Sequence, residues 1–422
     1  MASVTLRSEC PLVRARSGSH RHVVVQVDAA KLAGAAARLP MNLAFVLDRS
    51  GSMGGGKFEF ARGATLEGIS RLKQQDRFAV VVYDVEVDTV VPSTLASPSA
   101  ARAAKEALER IGPRGGTDLC SGWLTGCREI AQRMEGDQVA RACLFTDGQA
   151  NHGETDPTLL ARHAAELRAR GIVTSTFGIG LDFDEHLLRT IADAGGGNAR
   201  FIESNADFAR LLREELGDAA DVVHRAAGLH VAASEPGVSL EVIGPWVATR
   251  DDRGTRIALG DLVSEERVEF TLRVHIPEGA EGSVVRLEFG LSDREGDLAI
   301  APAAVEWRRA AHAENDRQPR DLGVQRFAAA RHADRARERG ILANRQRDYG
   351  EARRLLNRVA DRIAAYAGQD PELRGIVDQL RKDADRYGQP MDLLSQKQAY
   401  YGTSASLRQR SATGSAKRST GG

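Results

Sequence analysis

Residues 45–53 read Phe-Val-Leu-Asp-Arg-Ser-Gly-Ser-Met, an apolar run that passes directly into the pattern Asp-x-Ser-x-Ser. A short apolar run before a Gly/Ser loop is typical of a buried strand. Where a chain leaves such a strand in a tight loop, side chains two positions apart can converge on one point. Asp48, Ser50 and Ser52 would there present one carboxylate and two hydroxyl oxygens, which are hard donors suited to Mg²⁺.

Strand-like and helical segments alternate after this loop. Strands are predicted at 78–83, 87–91, 139–146, 172–179 and 199–202, and helices at 57–73, 100–110, 118–134, 156–170, 184–194 and 206–216. This alternation predicts an α/β fold with a doubly wound, mostly parallel sheet and helices on both faces. Open sheets of this class bind ligands at the carboxyl ends of their strands, so other loops at that edge become candidates for the same site.

Two further loops supply oxygen donors in the right order. Residues 115–118, Gly-Gly-Thr-Asp, open a predicted helix and place the Thr117 hydroxyl at its start. Residues 144–148, Leu-Phe-Thr-Asp-Gly, end a predicted strand and place the Asp147 carboxylate there. Each motif alone is more often a turn or a helix cap. All three together, each at a strand end or a helix start, indicate one shared metal site.

Together the three pieces resemble the metal-ion-dependent adhesion site (MIDAS) of von Willebrand factor A (VWA) domains, over about residues 40–218. The resemblance implies a Rossmann-like VWA sheet and five metal ligands: Asp48, Ser50, Ser52, Thr117 and Asp147. It also implies Mg²⁺, with Mn²⁺ or Ca²⁺ as alternatives, and an open coordination position for an acidic residue of a partner protein. Neighbouring positions that could touch that partner are Met53, Asp118 and Gly148, although Asp118 could simply favour the helix dipole.

The flanks of this region have a different pattern. Strand-like segments occur near 22–27 and again after residue 225, separated by Gly, Pro and Asp turns, which is typical of a β-sandwich. We therefore predict sandwich parts at 1–38 and 222–311 with the VWA domain, 39–221, inserted between them. Three helices are predicted within 312–401, a C-terminal helical region expected to serve in assembly, and a disordered basic tail at 402–422.

Charge and cysteine content exclude several classes of protein. Lys plus Arg equals Asp plus Glu at 58 each, so no basic excess favours nucleic acid or anionic lipid. The N-terminal residues lack a signal-peptide pattern, no apolar run is long enough to span a membrane, and four scattered cysteines do not form a disulfide scaffold. These features predict a cytoplasmic protein with thiols that are buried as small apolar groups.

The resulting functional hypothesis is a non-enzymatic, metal-dependent protein-interaction module that acts as a scaffold or adaptor. Cytosolic bacterial proteins of similar arrangement act beside AAA+ ATPases or signalling kinases and phosphatases, so the resemblance implies such partners. The alternative is a metal-assisted hydrolase that uses the same cation. It would need a general base, and none of the ten His residues falls in the motif loops, although His152 follows Asp147 by five positions.

Overall fold

The computed structural model describes residues 1–32, 38–147, 150–180, 183–202, 205–252 and 254–407. The strands, in chain order, are β1 (Ser3–Ser8), β2 (Leu12–Arg14), β3 (Ser19–Asp28), β4 (Met41–Asp48), β5 (Arg77–Tyr83), β6 (Val87–Leu95), β7 (Val139–Thr146), β8 (Ile172–Ile179), β9 (Gly196–Ile202), β10 (Val222–Ala233), β11 (Ser239–Ile243), β12 (Val247–Asp251), β13 (Gly254–Val263), β14 (Arg267–Ile276), β15 (Val284–Asp293), β16 (Gly296–Asp297) and β17 (Ala303–Ala310). The helices are α1 (Lys57–Ser70), α2 (Pro98–Glu109), α3 (Leu119–Ala131), α4 (Pro157–Ala169), α5 (Glu185–Gly195), α6 (Asn205–Ala220), α7 (His312–Arg317), α8 (Leu322–Arg345), α9 (Tyr349–Ala367), α10 (Pro371–Tyr387) and α11 (Leu393–Leu407).

The chain divides into two compact units. One unit is Leu32–Arg225, and the other combines Met1–Lys31 with the chain from Ala226 onward. The second unit is therefore built from segments on both sides of the first in sequence. This topology confirms the prediction that the α/β region is inserted into a β-structured region.

The Leu32–Arg225 unit contains a six-stranded sheet in the order β6-β5-β4-β7-β8-β9. All pairings are parallel except that of β6, an edge strand antiparallel to β5. Every residue of β4, β7 and β8 is buried, as expected for strands covered by helices on both faces. The strand order reverses direction between β4 and β7, and in open α/β sheets the crevice outside such a reversal is where ligands bind.

Helix boundaries in this unit follow local chemistry. Asp118, Asp156 and Asp184 are N-cap residues whose carboxylates accept backbone N–H bonds from the first turns of α3, α4 and α5. Helix α3 packs closely on the sheet through Gly122 and Gly126, where a Cβ atom would lie 2.4 Å and 2.3 Å from side-chain carbons of Tyr83 and Val46. These glycines hold the start of α3 beside the carboxyl ends of β4 and β5.

The other unit contains two sheets, each with strands from both ends of the chain. Their orders are β1-β3-β14-β11 and β12-β13-β10-β15-β17-β2, with β16 paired to β15. Trp307 of β17 is fully buried and donates from its indole N–H to the hydroxyl of Ser8 in β1 over 3.0 Å, which joins the two sheets. The predicted boundaries inside this unit remain predictions.

Helices follow the strands, as predicted for the C-terminal region. The cores of α8, α9 and α10 share one cluster that includes Leu356, Leu380 and Tyr387. Helix α11 was not predicted, and its last six residues fall in the segment expected to be a basic tail; residues 408–422 lie outside the described residues. No helix of the described part of the chain is both long and apolar enough to span a membrane. The four cysteines are free and buried, as expected.

Candidate metal centre

The loop after β4 carries the Asp-x-Ser-x-Ser motif. Asp48 ends the strand without exposed surface, and a single 3-10 turn, Gly51–Met53, follows Ser50. The Asp48 carboxylate accepts a hydrogen bond from the backbone N–H of Ser50 through Oδ1 (2.7 Å) and one from the Thr146 hydroxyl through Oδ2 (2.6 Å). These bonds fix the carboxylate where β4 and β7 lie side by side.

A hydrogen-bonded chain joins this loop to the end of β7. The Ser50 and Ser52 hydroxyl oxygens lie 3.1 Å apart, and the Ser52 hydroxyl donates to Asp147 Oδ1 over 2.7 Å. Asp147 Oδ2 accepts from the Lys57 ammonium. Asp147 is fully buried, whereas Ser52 is exposed, so the chain runs from the interior to the surface. Four of the five predicted ligands therefore lie together.

Thr117, the fifth predicted ligand, lies on the loop before α3 and is 2% exposed. That loop is tied to the motif loop by a bond from Gly51 N–H to the Gly115 carbonyl (3.1 Å). Asn151 holds the Thr117 backbone, since its Oδ1 accepts from the Thr117 N–H (2.9 Å) and its own N–H donates to the Thr117 carbonyl (3.1 Å). Within the described residues, no hydrogen bond joins the Thr117 hydroxyl to the other four predicted ligands.

Arg49, the middle residue of the motif, stabilises these loops. Its buried guanidinium donates to Asp84 Oδ2 (3.0 Å) and Asp88 Oδ2 (2.6 Å), both beyond the end of β5. Its carbonyl accepts from the Arg114 N–H (2.6 Å), and Arg114 Nε donates to the same Asp84 oxygen (2.7 Å). Three loops at the carboxyl edge are thus cross-linked by ion pairs, of which Arg49–Asp84 is buried, and these hold the candidate ligands in place.

Burial and a neighbouring carboxylate perturb Asp48. Burial above all, together with the negative charge of Asp147, raises the pKa of Asp48 to about 6, while hydrogen bonds from Thr146 and Ser50 oppose the shift. A cation at this edge would remove much of that penalty. The Lys57 ammonium already supplies one positive charge to Asp147.

Lys57 and Arg49 were not predicted from the sequence. The only sequence signal for Lys57 is its place after three consecutive glycines, a pattern that is typical of a flexible loop. Gly55 and Gly56 adopt left-handed backbone conformations, with φ of 69° and 100°, and lead the chain into α1 so that Lys57 starts the helix. Arg49 carried no signal, because the Asp-x-Ser motif leaves the residue between the two ligands unspecified and so predicts no partner for it.

Three neighbouring positions were predicted to contact a partner. Met53 has no exposed surface and belongs to the core. Asp118 is half-buried and caps α3, accepting from the backbone N–H of Ser121 (3.0 Å) and from its hydroxyl (2.8 Å). Gly148 lies outside the described residues. A contact of these residues with a partner remains a prediction.

The donor set at this edge consists of two carboxylates and three hydroxyls. Among the described residues, no group of three or more His, Cys, Asp or Glu side chains could hold a metal ion. A metal here would therefore depend on the hydroxyls. Oxygen-only donors with two negative charges suit a hard divalent cation that keeps waters in its coordination shell.

Comparison with known proteins agrees with this architecture. A model of the von Willebrand factor type A domain, a module that commonly mediates protein–protein interaction, matches residues 42–215. An uncharacterised protein of Synechocystis sp. is 30% identical over 261 residues, or 59% of this chain and 60% of that protein. Inter-alpha-trypsin inhibitor heavy chain H4 of Homo sapiens is 28% identical over 185 residues, 42% of this chain but 20% of that protein. This chain thus spans less than two thirds of either relative.

A solved structure extends the similarity to nearly the whole chain. The von Willebrand factor type A protein from Catenulispora acidiphila superposes with a TM-score of 0.72, covering 96% of each chain at 20% identity. Identity this low shows the fold alone. The family match, this similarity of fold and the strand order of the inserted sheet together show that residues 42–215 form a von Willebrand factor type A domain.

Proposed function

We propose that this protein is a non-enzymatic scaffold or adaptor that binds a partner protein through a divalent cation at the carboxyl edge of its VWA sheet. The proposed ligands are Asp48, Ser50, Ser52, Thr117 and Asp147, and the proposed ion is Mg²⁺, with Mn²⁺ or Ca²⁺ as alternatives. The observation that carries the proposal is the hydrogen-bonded chain Ser50–Ser52–Asp147 at the reversal of strand order.

The chemistry of the donor set supports a cation here. Two carboxylates neutralise a divalent ion only in part when an ammonium also pairs with one of them, and neutral hydroxyls add no charge. A bound Mg²⁺ would supply a coordination position that attracts an anionic oxygen. Ser52 is exposed, so an acidic side chain of a partner would reach the site from that side. Arg49 and its ion pairs would keep the donors ordered in the absence of the partner.

Binding is favoured over hydrolysis by the environment of His152. This residue is exposed and its backbone N–H donates to the Thr117 carbonyl (3.2 Å). Within the described residues, its imidazole makes no bond to a carboxylate that would orient it as a general base. A metal-assisted hydrolase is therefore the second candidate. Cytoplasmic location, and AAA+ ATPases or signalling kinases and phosphatases as partners, belong to the same proposal.

Calorimetric titration of the full chain with Mg²⁺ tests the site directly. Replacing Thr117 by Ala removes one oxygen ligand without adding charge, so we expect Mg²⁺ affinity to fall about tenfold or more, in the range seen when metal-site residues are lost. Thr117→Ser should retain part of the Mg²⁺ affinity that Thr117→Ala loses. Asp48→Ala should be more damaging because it also removes negative charge. Pull-down with and without EDTA should then show partners lost on chelation and in Thr117→Ala.

Thr94→Ala is the matched control. Thr94 lies on β6 opposite Phe78, at the amino end of β5 and so at the other edge of the sheet. The Thr94→Ala protein should bind Mg²⁺ as the wild type does. Equal Mg²⁺ affinity in wild type, Thr117→Ala and Asp48→Ala, or partners that survive EDTA, would contradict the proposal. A partner that is cleaved rather than retained would favour the hydrolase.

A further inference from the structure

A cavity of about 170 Å³ lies where α8 and α9 meet the strands β11 and β14. It is lined by side chains of both helices and both strands, namely Glu241, Arg273, His332, Arg335, Ala336, Arg339, Leu355, Arg358, Val359 and Arg362. Its volume is several times the ~30 Å³ that one water occupies in the liquid. The cavity is too polar for an apolar ligand, because five of its ten lining residues are arginines.

The positive charge of this wall is not balanced. Glu241 is the one carboxylate among the lining residues, and it pairs with Arg335 (2.5 Å) and with Arg273 (3.4 Å). Arg339, Arg358 and Arg362 are exposed to solvent, and within the described residues their guanidinium groups make no ion pair or hydrogen bond. Five guanidinium groups thus face one cavity with a single counter-ion.

The spacing of these arginines opposes helix stability. Arg335 and Arg339 are four residues apart on α8, and Arg358 and Arg362 are four apart on α9, so each pair lies on one helix face. Like charges at this spacing destabilise a helix. Packing the two faces around one cavity adds repulsion between the helices. A bound anion would reduce this repulsion among the arginines.

The surroundings of the cavity shift the pKa of His332. Burial above all, together with the charges of His22, Arg335 and Arg273, lowers the pKa of this imidazole to about 4, against the opposing effect of Glu241. A histidine in these surroundings stays neutral and adds nothing to the repulsion, and its Nε2 lies 3.2 Å from Nε2 of His22.

We propose that this arginine pocket binds a phosphate group carrying two negative charges. Guanidinium groups present planar pairs of N–H donors that match phosphate oxygens, and several of them can surround one dianion. Leu355, Val359 and Ala336 give the pocket an apolar side that suits the carbon atoms of a phosphate ester. The phosphate is either free or carried on a phosphorylated side chain. The site belongs to the helical region and goes beyond the proposed metal-dependent function.

The test is calorimetric titration of the full chain at low ionic strength in EDTA, so that the proposed metal site does not contribute. The probes are inorganic phosphate, a capped Gly-phosphoserine-Gly peptide and the same peptide without phosphate. We expect wild-type protein to bind at least one phosphorylated probe and the doubly substituted Arg339→Gln, Arg358→Gln protein to bind it at least tenfold more weakly. Arg381→Gln is the control, since Arg381 is exposed, lies on α10 and pairs only loosely with Asp361 (3.8 Å).

The outcomes are distinct. Tighter binding of inorganic phosphate assigns the pocket to the free ion, whereas tighter binding of the phosphopeptide assigns it to a phosphorylated side chain. Measurable and equal binding of the phosphorylated and unphosphorylated peptides, no binding of either inorganic phosphate or the phosphopeptide by the wild type, or equal loss in Arg381→Gln would overturn the proposal. Removing repulsive charges should leave the melting temperature unchanged or raised, and the single Arg358→Gln protein provides a milder variant.

Discussion

Replacing Glu215 by Gln should destabilise the VWA domain strongly. Glu215 lies on α6 with no exposed surface and accepts five hydrogen bonds. The donors are Arg141 of β7 (2.6 Å), Ser175 of β8 (2.5 Å), and Asn198 (2.9 Å) and Arg200 (3.0 and 2.8 Å) of β9. One carboxylate therefore joins three strands to the helix that closes the domain.

The size of the stability loss in Glu215→Gln follows from how deeply its partners are buried. Gln has nearly the same size but no charge, so the guanidinium groups of Arg141 and Arg200, 5% and 0% exposed, would lose the buried carboxylate that they share, although Arg200 also lies 3.5 Å from Glu214 and 4.0 Å from Asp218. Breaking a buried ion pair from one side costs about 3–5 kcal/mol. For a unit of roughly 150–250 residues each kcal/mol lowers the melting temperature by about 2–4 °C, so a fall of roughly 6–20 °C is expected.

Glu215 also makes the stability of the folded state depend on pH. Burial alone would raise the pKa of Glu215, but Arg141 and Arg200 and the neutral donors outweigh it and hold the pKa well below its usual range. Because the folded pKa is depressed, this stabilisation is complete above the unfolded value of 4.5 and is lost as pH falls below it. The Gln variant should lose less stability than wild type between pH 5 and about 3.

Thermal melts of the full chain at pH 7 and at acid pH, followed by circular dichroism, measure both effects. Glu67→Gln is the control, because Glu67 is 35% exposed and its pair with Arg71 is a surface i,i+4 contact worth little. If Glu215→Gln melted within about 1 °C of Glu67→Gln, the buried network would not stabilise the domain as argued. An acid dependence shared by Glu215→Gln and wild type would exclude the pH argument.

Two further predictions follow from charged groups at other positions. Lys57→Met removes the ammonium that pairs with Asp147, so Mg²⁺ should bind roughly tenfold more tightly in calorimetry because two like charges no longer compete for that carboxylate; unchanged or weaker binding would refute this. Burial, reinforced by His22, lowers the pKa of His332 to about 4 from 6.5, so the folded state loses stability as pH falls from about 6.5 to 4, by at most roughly 3–4 kcal/mol at about 1.36 kcal/mol per pH unit. Melting temperatures between pH 4 and 8 should show a flatter profile for His332→Asn, and an identical profile would contradict the assignment.

The sequence was informative wherever local pattern and chain order determine position. An apolar run that ends in Asp48 must place that residue at a strand end, and Asp147 follows by the same argument. Parallel strands bring such ends to one edge, which is why residues 95 or more positions apart could be predicted as neighbours, and Ser52 and Asp147 indeed share a hydrogen bond.

Features that depend on side-chain direction across elements could not be predicted. Lys57 is the first residue of α1, and only the left-handed glycines before it aim its ammonium at Asp147. Helix α11 lacks a regular apolar face, so its sequence gave no periodic signal. The arginine pocket needs the packing of α8 on α9, and in sequence its residues look like ordinary solvated helix positions.

Charge balance at the edge of the VWA sheet explains why Lys57 would matter to a metal-dependent interaction. Asp48 and Asp147 carry two negative charges when ionised, and the Lys57 ammonium offsets one, which leaves the three groups at minus one. A divalent cation held by the proposed ligands would bring the total to plus one, and a single carboxylate from a partner would return it to zero. Without Lys57, the two carboxylates and the divalent cation already sum to zero before any partner binds. Lys57 would therefore weaken binding of the metal alone while favouring the complex of metal and acidic partner. Lys57→Met should consequently raise the affinity for the metal and lower the affinity of the metal-bound protein for the partner.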